Sequence, residues 1–367
     1  MKILLIATRN LFGERGRFLI TAGGVAFSVV LILVLFGLYQ GWNTQMTKFL
    51  GSVPADFWVG QKGSRDVSHS ISILPNNLST DFENIRGVRE VNTFIGRQVS
   101  FKKDGREIRI FLVGLDPNGI IKPYKIEQGK SFPEEDEIII DKTIAGKERI
   151  RIGDKIDING YEVKVSGISS GGNLLIYSYA FTNIENAKKM IDFEDFVNYY
   201  LISADNPNKT KKDLEDIFAN LEIMTKQNFL DNNAEIIKST FLPIIGILLL
   251  IAFAIGIAVI GLTIYTATIE KSQEYGVLKA IGYSNGQLFG IALLQSFMAG
   301  VVGLIVGNIL VVIIVRLASL FVSGFIYEAG VLEISITILI VFLMSILASI
   351  IPLKRLLAID PARVFKA

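Results

Sequence analysis

The stretch Phe241–Ile264, FLPIIGILLLIAFAIGIAVIGLTI, decides the fold: its 24 residues pass without one ionisable side chain. A helix needs about 20 apolar residues to cross a hydrocarbon core of roughly 30 Å. Three other stretches meet the same condition. Phe18–Tyr39 carries no ionisable group before its closing tyrosine. Gly286–Val315 has only Gln287, Gln295, Ser296 and Asn308 as clearly polar members, and Ile334–Leu353 supplies the fourth. A water-soluble core would have to bury four helices that are apolar on every face. The sequence therefore reads as a four-crossing membrane protein.

Composition agrees. Half of the 367 residues are hydrophobic and 20% are charged, with a mean hydropathy of +0.46. Both figures hold together only if apolar and charged residues are segregated. The first block is too long for a signal-peptide core and lacks a small-x-small cleavage site, so it reads as an anchor. Lys2, Arg9, Arg15 and Arg17 precede the first crossing, and Lys354, Arg355, Arg363 and Lys366 follow the fourth. The positive-inside tendency then puts both termini in the cytoplasm of a multi-pass protein of the cell (inner) membrane.

The expected organisation follows. Residues 1–17 form a cytoplasmic amphipathic helix or a plain basic flank, and 18–39 the first crossing. Residues 40–240 form an extracytoplasmic α+β domain and 241–264 the second crossing. Residues 265–285 make a cytoplasmic segment and 286–315 the third crossing. An outer loop (316–333), the fourth crossing (334–353) and a cytoplasmic tail (354–367) complete the chain.

Within 40–240, Ala55–Gly60 reads as a strand and Ser79 as the cap of a helix over Thr80–Arg86. Val88–Phe101 and Glu107–Leu115 read as a hairpin around Lys103-Asp104-Gly105. Glu137–Ser169 reads as strand, short helix and two strands joined by Asn159-Gly160. Tyr179–Asn183 and Phe196–Ala204 read as strands flanking a helix over Glu185–Ile191, and Thr210 as the cap of a helix over Lys211–Leu221.

The domain offers little for catalysis. Its 26 Lys+Arg and 29 Asp+Glu nearly balance, which argues against a nucleic-acid partner. The chain has no cysteine and one histidine, His69, so thiolate sites, His-based triads and HExxH zinc helices are excluded. His69 reads as a solvated loop residue, and the acidic run Glu134–Glu137 lacks the spacing of a calcium loop. No metal site and no catalytic residue are expected.

In the third crossing Ala299, Gly303 and Gly307 fall four apart, a spacing that lets helix backbones approach closely. Gly246, Ala254 and Ala258 lie near one another on the second. No Asp, Glu, Lys, Arg or His lies within a crossing, which weighs against ion-coupled transport. Between crossings two and three, EKSQEYGVLKAIGYSNGQL (Glu270–Leu288) is helix-like and breaks at Gly282. Glu270, Glu274 and Lys279 fall on polar faces, with Tyr275, Val277, Leu278 and Ile281 on others, so this helix can dock on a cytoplasmic partner.

That segment resembles the signature of the macrolide-exporter/FtsX-type permeases of ABC transporters, the type VII class. Glu274, Gly276, Leu278, Lys279, Ala280 and Gly282 match its coupling-helix pattern. Ala7, Arg9, Asn10, Leu11, Arg17 and Thr21 match the family's N-terminus, and Glu137–Ser169 and Asp360-Pro361-Ala362 its later parts. The resemblance implies a homodimer in the lipid bilayer, joined to two copies of a separate ABC ATPase that binds ATP and magnesium; a periplasmic adaptor is compatible with it. It implies that Glu270, Glu274, Tyr275, Gly276, Leu278, Lys279 and Gly282 couple to the ATPase, with crossings one and two as the dimer seam. No GxxxxGK[ST] phosphate loop occurs in the sequence.

The stretch from Gly37 through Val67 resembles the haem-efflux permeases of Gram-positive bacteria, with cyanobacterial glycolipid exporters as near neighbours. The first crossing holds no Met, His or Cys to ligate haem iron; Tyr39, Met46 and His69 are the nearest residues that could. Substrate-binding residues stay unassigned. The expected function is ATP-driven export of a hydrophobic or amphipathic substrate such as haem, a lipid or a drug-like molecule. The alternative is force transmission to an extracytoplasmic enzyme such as a cell-wall hydrolase. A membrane-tethered enzyme or receptor without an ATPase fits the docking-helix pattern less well.

Overall fold

The computed structural model describes residues 6–8, 13–67, 70–174, 177–322 and 324–357. His69, Arg9, Asn10, Leu11 and the tail from residue 358 lie outside them, as does Asp360-Pro361-Ala362. The chain forms two compact units. One holds the crossings; the other holds Trp42–Thr240 with Val322–Phe325.

Helix α1 (Arg15–Ser52) runs 38 residues, about 57 Å at 1.5 Å per residue, well beyond the expected 18–39. Nothing from Gln40 to Ser52 breaks a helix, and Phe49 and Leu50 gain burial by staying helical. The helix stops at Val53-Pro54, where proline pushes the preceding residue out of the helical region.

The domain that follows contains two lobes. The first is a four-stranded antiparallel sheet of β1 (Phe57–Gln61), β3 (Val88–Phe94), β12 (Tyr199–Ala204) and β13 (Leu221–Thr225), in the order β13-β1-β12-β3. Two helices, α2 (Ser79–Glu83) and α5 (Pro207–Ile217), connect β1 to β3 and β12 to β13, giving a split βαβ arrangement. Phe57, Val59, Phe82, Tyr200, Ile202 and Leu214 fill one side. Trp58, Phe94 and Tyr199 form an aromatic cluster with Phe229 on the other; Trp58 stacks on Phe229 at 4.2 Å and 14°.

The second lobe is inserted between β3 and β12. It comprises β4 (Gly96–Lys103), β5 (Arg106–Leu115), β6 (Lys125–Gly129), β7 (Glu137–Asp141), helix α3 (Lys142–Lys147), β8 (Lys155–Ile158), β9 (Tyr161–Ser170), β10 (Ser178–Asn183) and α4 (Ile184–Ile191). The strand order is β6-β9-β7-β10-β5-β4-β8, and β8 also pairs with β9. Six strands therefore close on themselves, with β6 added outside. Val99, Phe101, Ile110, Ile140, Val163 and Val165 fill the interior. The closing contact between β4 and β8 is a single pair, Phe101 with Ile158.

Both hairpin turns stand as the sequence predicts. Asp104 and Gly105 have φ of 49° and 74°, and Asn159 and Gly160 of 54° and 88°, as two-residue hairpins of the type with positive φ at both positions require. Four expectations need correction. Val88–Phe101 is two strands in two lobes, because the chain leaves the first sheet at Ile95. Likewise Phe196–Ala204 divides into β11 (Phe196–Val197), which pairs with β2 (Leu74–Pro75), and β12. Ser79 does not cap α2, because a tight turn over Asn76–Leu78 leads into it. Thr210 does not cap α5; Asn206 does, its side chain accepting from Lys209 N, with Pro207 at the first turn.

Helix α6 (Lys226–Glu270) spans 45 residues. It starts directly after β13, ahead of the expected 241–264, because Phe229, Asn233 and Ile237 give its first turns a buried side. Then come α7 (Ser272–Ala280), α8 (Asn285–Phe321) and α9 (Val331–Leu357). Among the described residues, four helices are long and apolar enough to cross a membrane. Large apolar side chains such as Leu250, Leu262, Ile305 and Ile309 stay exposed on them, as lipid contact requires. Two buried hydroxyls inside the bundle bond to carbonyls a turn earlier, Ser345 to Val341 O at 2.9 Å and Ser296 to Ala292 O at 3.1 Å.

Candidate functional site

The segment between the second and third crossings is built to be rigid. Helix α7 closes in a Schellman motif: Tyr283 N donates to Leu278 O and Gly282 N to Lys279 O, each at 3.0 Å. Gly282 takes φ +101°, which a side chain would resist. Two residues later, Ser284 and Gln287 form a reciprocal cap for α8: Ser284 N donates to Gln287 Oε1 at 2.8 Å, and Gln287 N to Ser284 Oγ at 3.3 Å.

The two sides of α7 differ. Tyr275 is buried, in a cluster with Ala7, Ile264, Leu288 and Ile291, with Leu278 and Tyr283 against it. Gly276 is buried beside it. Glu274 is exposed, Val277 is 44% exposed and Ile281 is 69% exposed. Lys279 donates to Leu357 O at 3.2 Å, tying α7 to the end of α9.

Charges lock the start of α1 to the same place. Arg17 pairs with Glu14 and, through Nη2, with Glu270 Oε2 at 2.6 Å; Lys271 Nζ lies 3.4 Å from Glu14 Oε1. The structure thus brings Glu270, Tyr275, Gly276, Leu278, Lys279 and Gly282 into one ordered unit and leaves Glu274 facing out. Arg17 and Glu14 are members that reasoning on the α7 segment alone does not find.

Helix packing behind this unit runs through small residues. A Cβ on Gly303 would stand 2.5 Å from Val25 Cβ, and one on Gly307 2.7 Å from Val29 Cβ, so α8 meets α1 at these glycines. Ala299 is fully buried. The stripe Gly246, Ala254 and Ala258 makes no such contact: a Cβ on Gly246 meets nothing, and both alanines are exposed. On α6 the close approaches are instead Gly256, against Met344 and Ser28, and Gly261, against Ile351. At the far end of α1, Gly37 receives the ring of Tyr327 and Gly41 receives Ile326, and Glu328 N donates to Gly37 O at 2.9 Å. The GxxxG spacing of Gly37 and Gly41 is the sequence signal for that docking.

Helix α1 also carries two of the residues weighed as haem ligands: Tyr39 is half-buried and Met46 is buried. The acidic run Glu134–Glu137 is a turn folded around Lys130, whose Nζ lies 2.9 Å from Glu137 and 3.1 Å from Glu134. Burial opposes ionisation of Glu137, yet the Glu134 amide and the Lys130 ammonium hold its carboxyl below the usual range. No cluster of His, Asp or Glu among the described residues can hold a metal ion.

Comparison with known proteins places both parts of the chain. A family model described as "MacB-like periplasmic core domain" matches residues 18–217, and one described as "FtsX-like permease C-terminal" matches residues 246–361. A putative hemin transport system permease protein, HrtB, from Staphylococcus haemolyticus is 23% identical over 90% of each chain. The lipoprotein-releasing system transmembrane protein LolE of Haemophilus influenzae is 20% identical over 95% of this chain and 93% of its own. Among solved structures, the periplasmic region of MacB from Actinobacillus actinomycetemcomitans aligns with a TM-score of 0.36 at 12% identity. It covers 48% of this chain and 91% of that one.

Proposed function

The chain belongs to the MacB/FtsX-type family of ABC transporter permeases, and from that premise we propose that it drives export of an amphipathic substrate, powered by a separate ATPase that docks on α7. The observation that carries this reading is the division of α7. One side is fixed in the bundle through Tyr275, Gly276 and the Lys279 bond to Leu357. The other presents an apolar step, Val277 and Ile281, beside the carboxylate of Glu274. An exposed apolar patch with a charged rim is what a partner groove takes up. ATP and magnesium are held by the partner, since the chain has no phosphate loop.

The same reading makes the assembly a homodimer with two ATPase copies and both termini in the cytoplasm. Reporters fused near residue 150 and at residue 367 then report from opposite sides of the membrane. Relatives named for hemin and for lipoproteins, both amphipathic, support the substrate class.

Reconstitution with the ATPase tests the proposal. Glu274→Lys, Gly276→Pro and Ile281→Asp are each expected to abolish permease stimulation of ATP hydrolysis while the protein still inserts. Stimulation unchanged in all three overturns the docking assignment.

A further inference from the structure

Resting on the export reading, a second site follows from the junction of the two lobes. There the first sheet contributes Phe94 and Tyr199, and the barrel lobe contributes Phe111, Ile191 and Phe193, to a cleft of about 280 Å³. Ile71, 69% exposed, and Ile73, 44% exposed, line it too. This volume lies near the lower bound for small-molecule pockets, roughly 300 Å³, and suits one acyl chain or a small polycyclic body. The walls are largely apolar, and the buried polar side chains among them are already engaged: Asn198 at both amide ends, and Ser72 through its Oγ, which accepts from Gln61 N.

Arg97 and Gln98 belong at once to this cleft and to a wider groove of about 710 Å³ that adds Ser100, Arg109 and Lys189. The groove follows the gap in the barrel wall. Ile95 O accepts from Gly114 N, so by antiparallel alternation the amides of Gln98 and Ser100 point away from β5. Strand β8 reaches β4 only at Phe101, so beside Gln98 the edge has no partner strand among the described residues.

Glu107 and Asp192 also line the groove, against three cations. Among the described residues, Arg97, Arg109 and Lys189 form no salt bridge; Arg97 gives one N–H to Ile191 O at 3.3 Å and keeps the others. An apolar slot thus opens onto a cationic mouth with unpaired backbone donors. We infer that cleft and groove together bind an amphipathic anion, its apolar body among Phe94, Phe111, Phe193 and Tyr199 and its carboxylate or phosphate at Arg97 and the open β4 edge.

The absence of cysteine permits a direct test on the full chain in phosphatidylcholine nanodiscs. Gln98→Cys carries an environment-sensitive fluorophore, and Asp216→Cys, on α5, is the control. Dodecyl phosphate and dodecanoate are titrated against dodecanol. The expected result is a saturable shift at position 98 with both anions, at a midpoint about tenfold or more below that of dodecanol. Charge-assisted bonds of this kind account for such a ratio. Arg97→Gln with Arg109→Gln, two exposed positions, is expected to erase that advantage. Equal midpoints for anion and alcohol, an unaffected double variant, or an equal response at position 216 each overturns the site. Stimulation of the ATPase needs no added amphipath, so failure of this site and failure of the export reading are separable.

Discussion

Arg17, near the start of α1, and Glu270, the last residue of α6, meet at 2.6 Å across 253 positions of sequence. Glu14 extends the pair to Lys271, directly ahead of α7. The beginning of the first crossing is thereby fastened to the segment proposed to receive the ATPase.

Arg17→Glu is expected to lower thermal stability little, because a pair with Glu270 60% exposed contributes roughly 1 kcal/mol or less. It is expected to lower ATPase stimulation strongly. The swap Arg17→Glu with Glu270→Arg should restore stimulation; a swap that restores nothing would mean that the pair has no positioning role.

Gly303→Leu drives a branched side chain into Val25, and the neighbouring Ala22 carbonyl leaves no room to yield. Overpacking of this kind costs about 1–3 kcal/mol. The thermal midpoint in detergent is expected to drop, while Gly246→Leu, at an open position, should leave it unchanged.

Asn198 joins three pieces of chain at the neck between the lobes. Its Oδ1 accepts from Gly96 N at 2.7 Å and its Nδ2 donates to Ser72 O at 2.9 Å, both buried. Asn198→Ala orphans one donor and one acceptor and is expected to cost about 2–4 kcal/mol. Asn198→Asp keeps the Gly96 bond, loses the other, and should also destabilise when read by Trp58 fluorescence.

Alkaline pH should weaken the domain. Burial raises the phenol of Tyr179 well above its ordinary range, and burial also raises Tyr199, whose hydroxyl donates to Asp66 O at 2.7 Å. A raised folded value means that the stabilising contribution is complete below about pH 10, where the unfolded phenol ionises, and is lost as pH climbs toward the folded value. Thermal midpoints measured at pH 8 and about pH 11 should show this fall, and Tyr179→Phe should reduce it. Because the Tyr179 hydroxyl is buried without a partner among the described residues, that variant should be no less stable than the parent at pH 8.

Much of this architecture is legible in the chain. Uncharged runs mark the crossings, and Asp104-Gly105 and Asn159-Gly160 announce their turns because few other pairs tolerate positive φ twice. The lobe boundary is not legible. Strand-like residues run on through Phe94-Ile95 to the lone Gly96 with no cluster of turn residues, so periodicity cannot report that the chain changes sheets. The helical extensions of α1 and α6 are hidden for a related reason: hydropathy ends at the lipid boundary while helix formation continues until Val53-Pro54 at one end and β13 at the other. At the candidate site, Gly282 and Ser284 read as a break, but the pairing of Arg17 with Glu270 is a tertiary fact that no local pattern encodes.

The single neck also sets how this protein can diversify. Departure at Gly96 and return at Asn198 are one hydrogen bond apart, so about a hundred residues hang from the framework sheet like a cartridge in a socket. A lineage, or an engineer, can remodel the cartridge without rewiring the four strands that carry it, provided that the shared seam of buried side chains is kept.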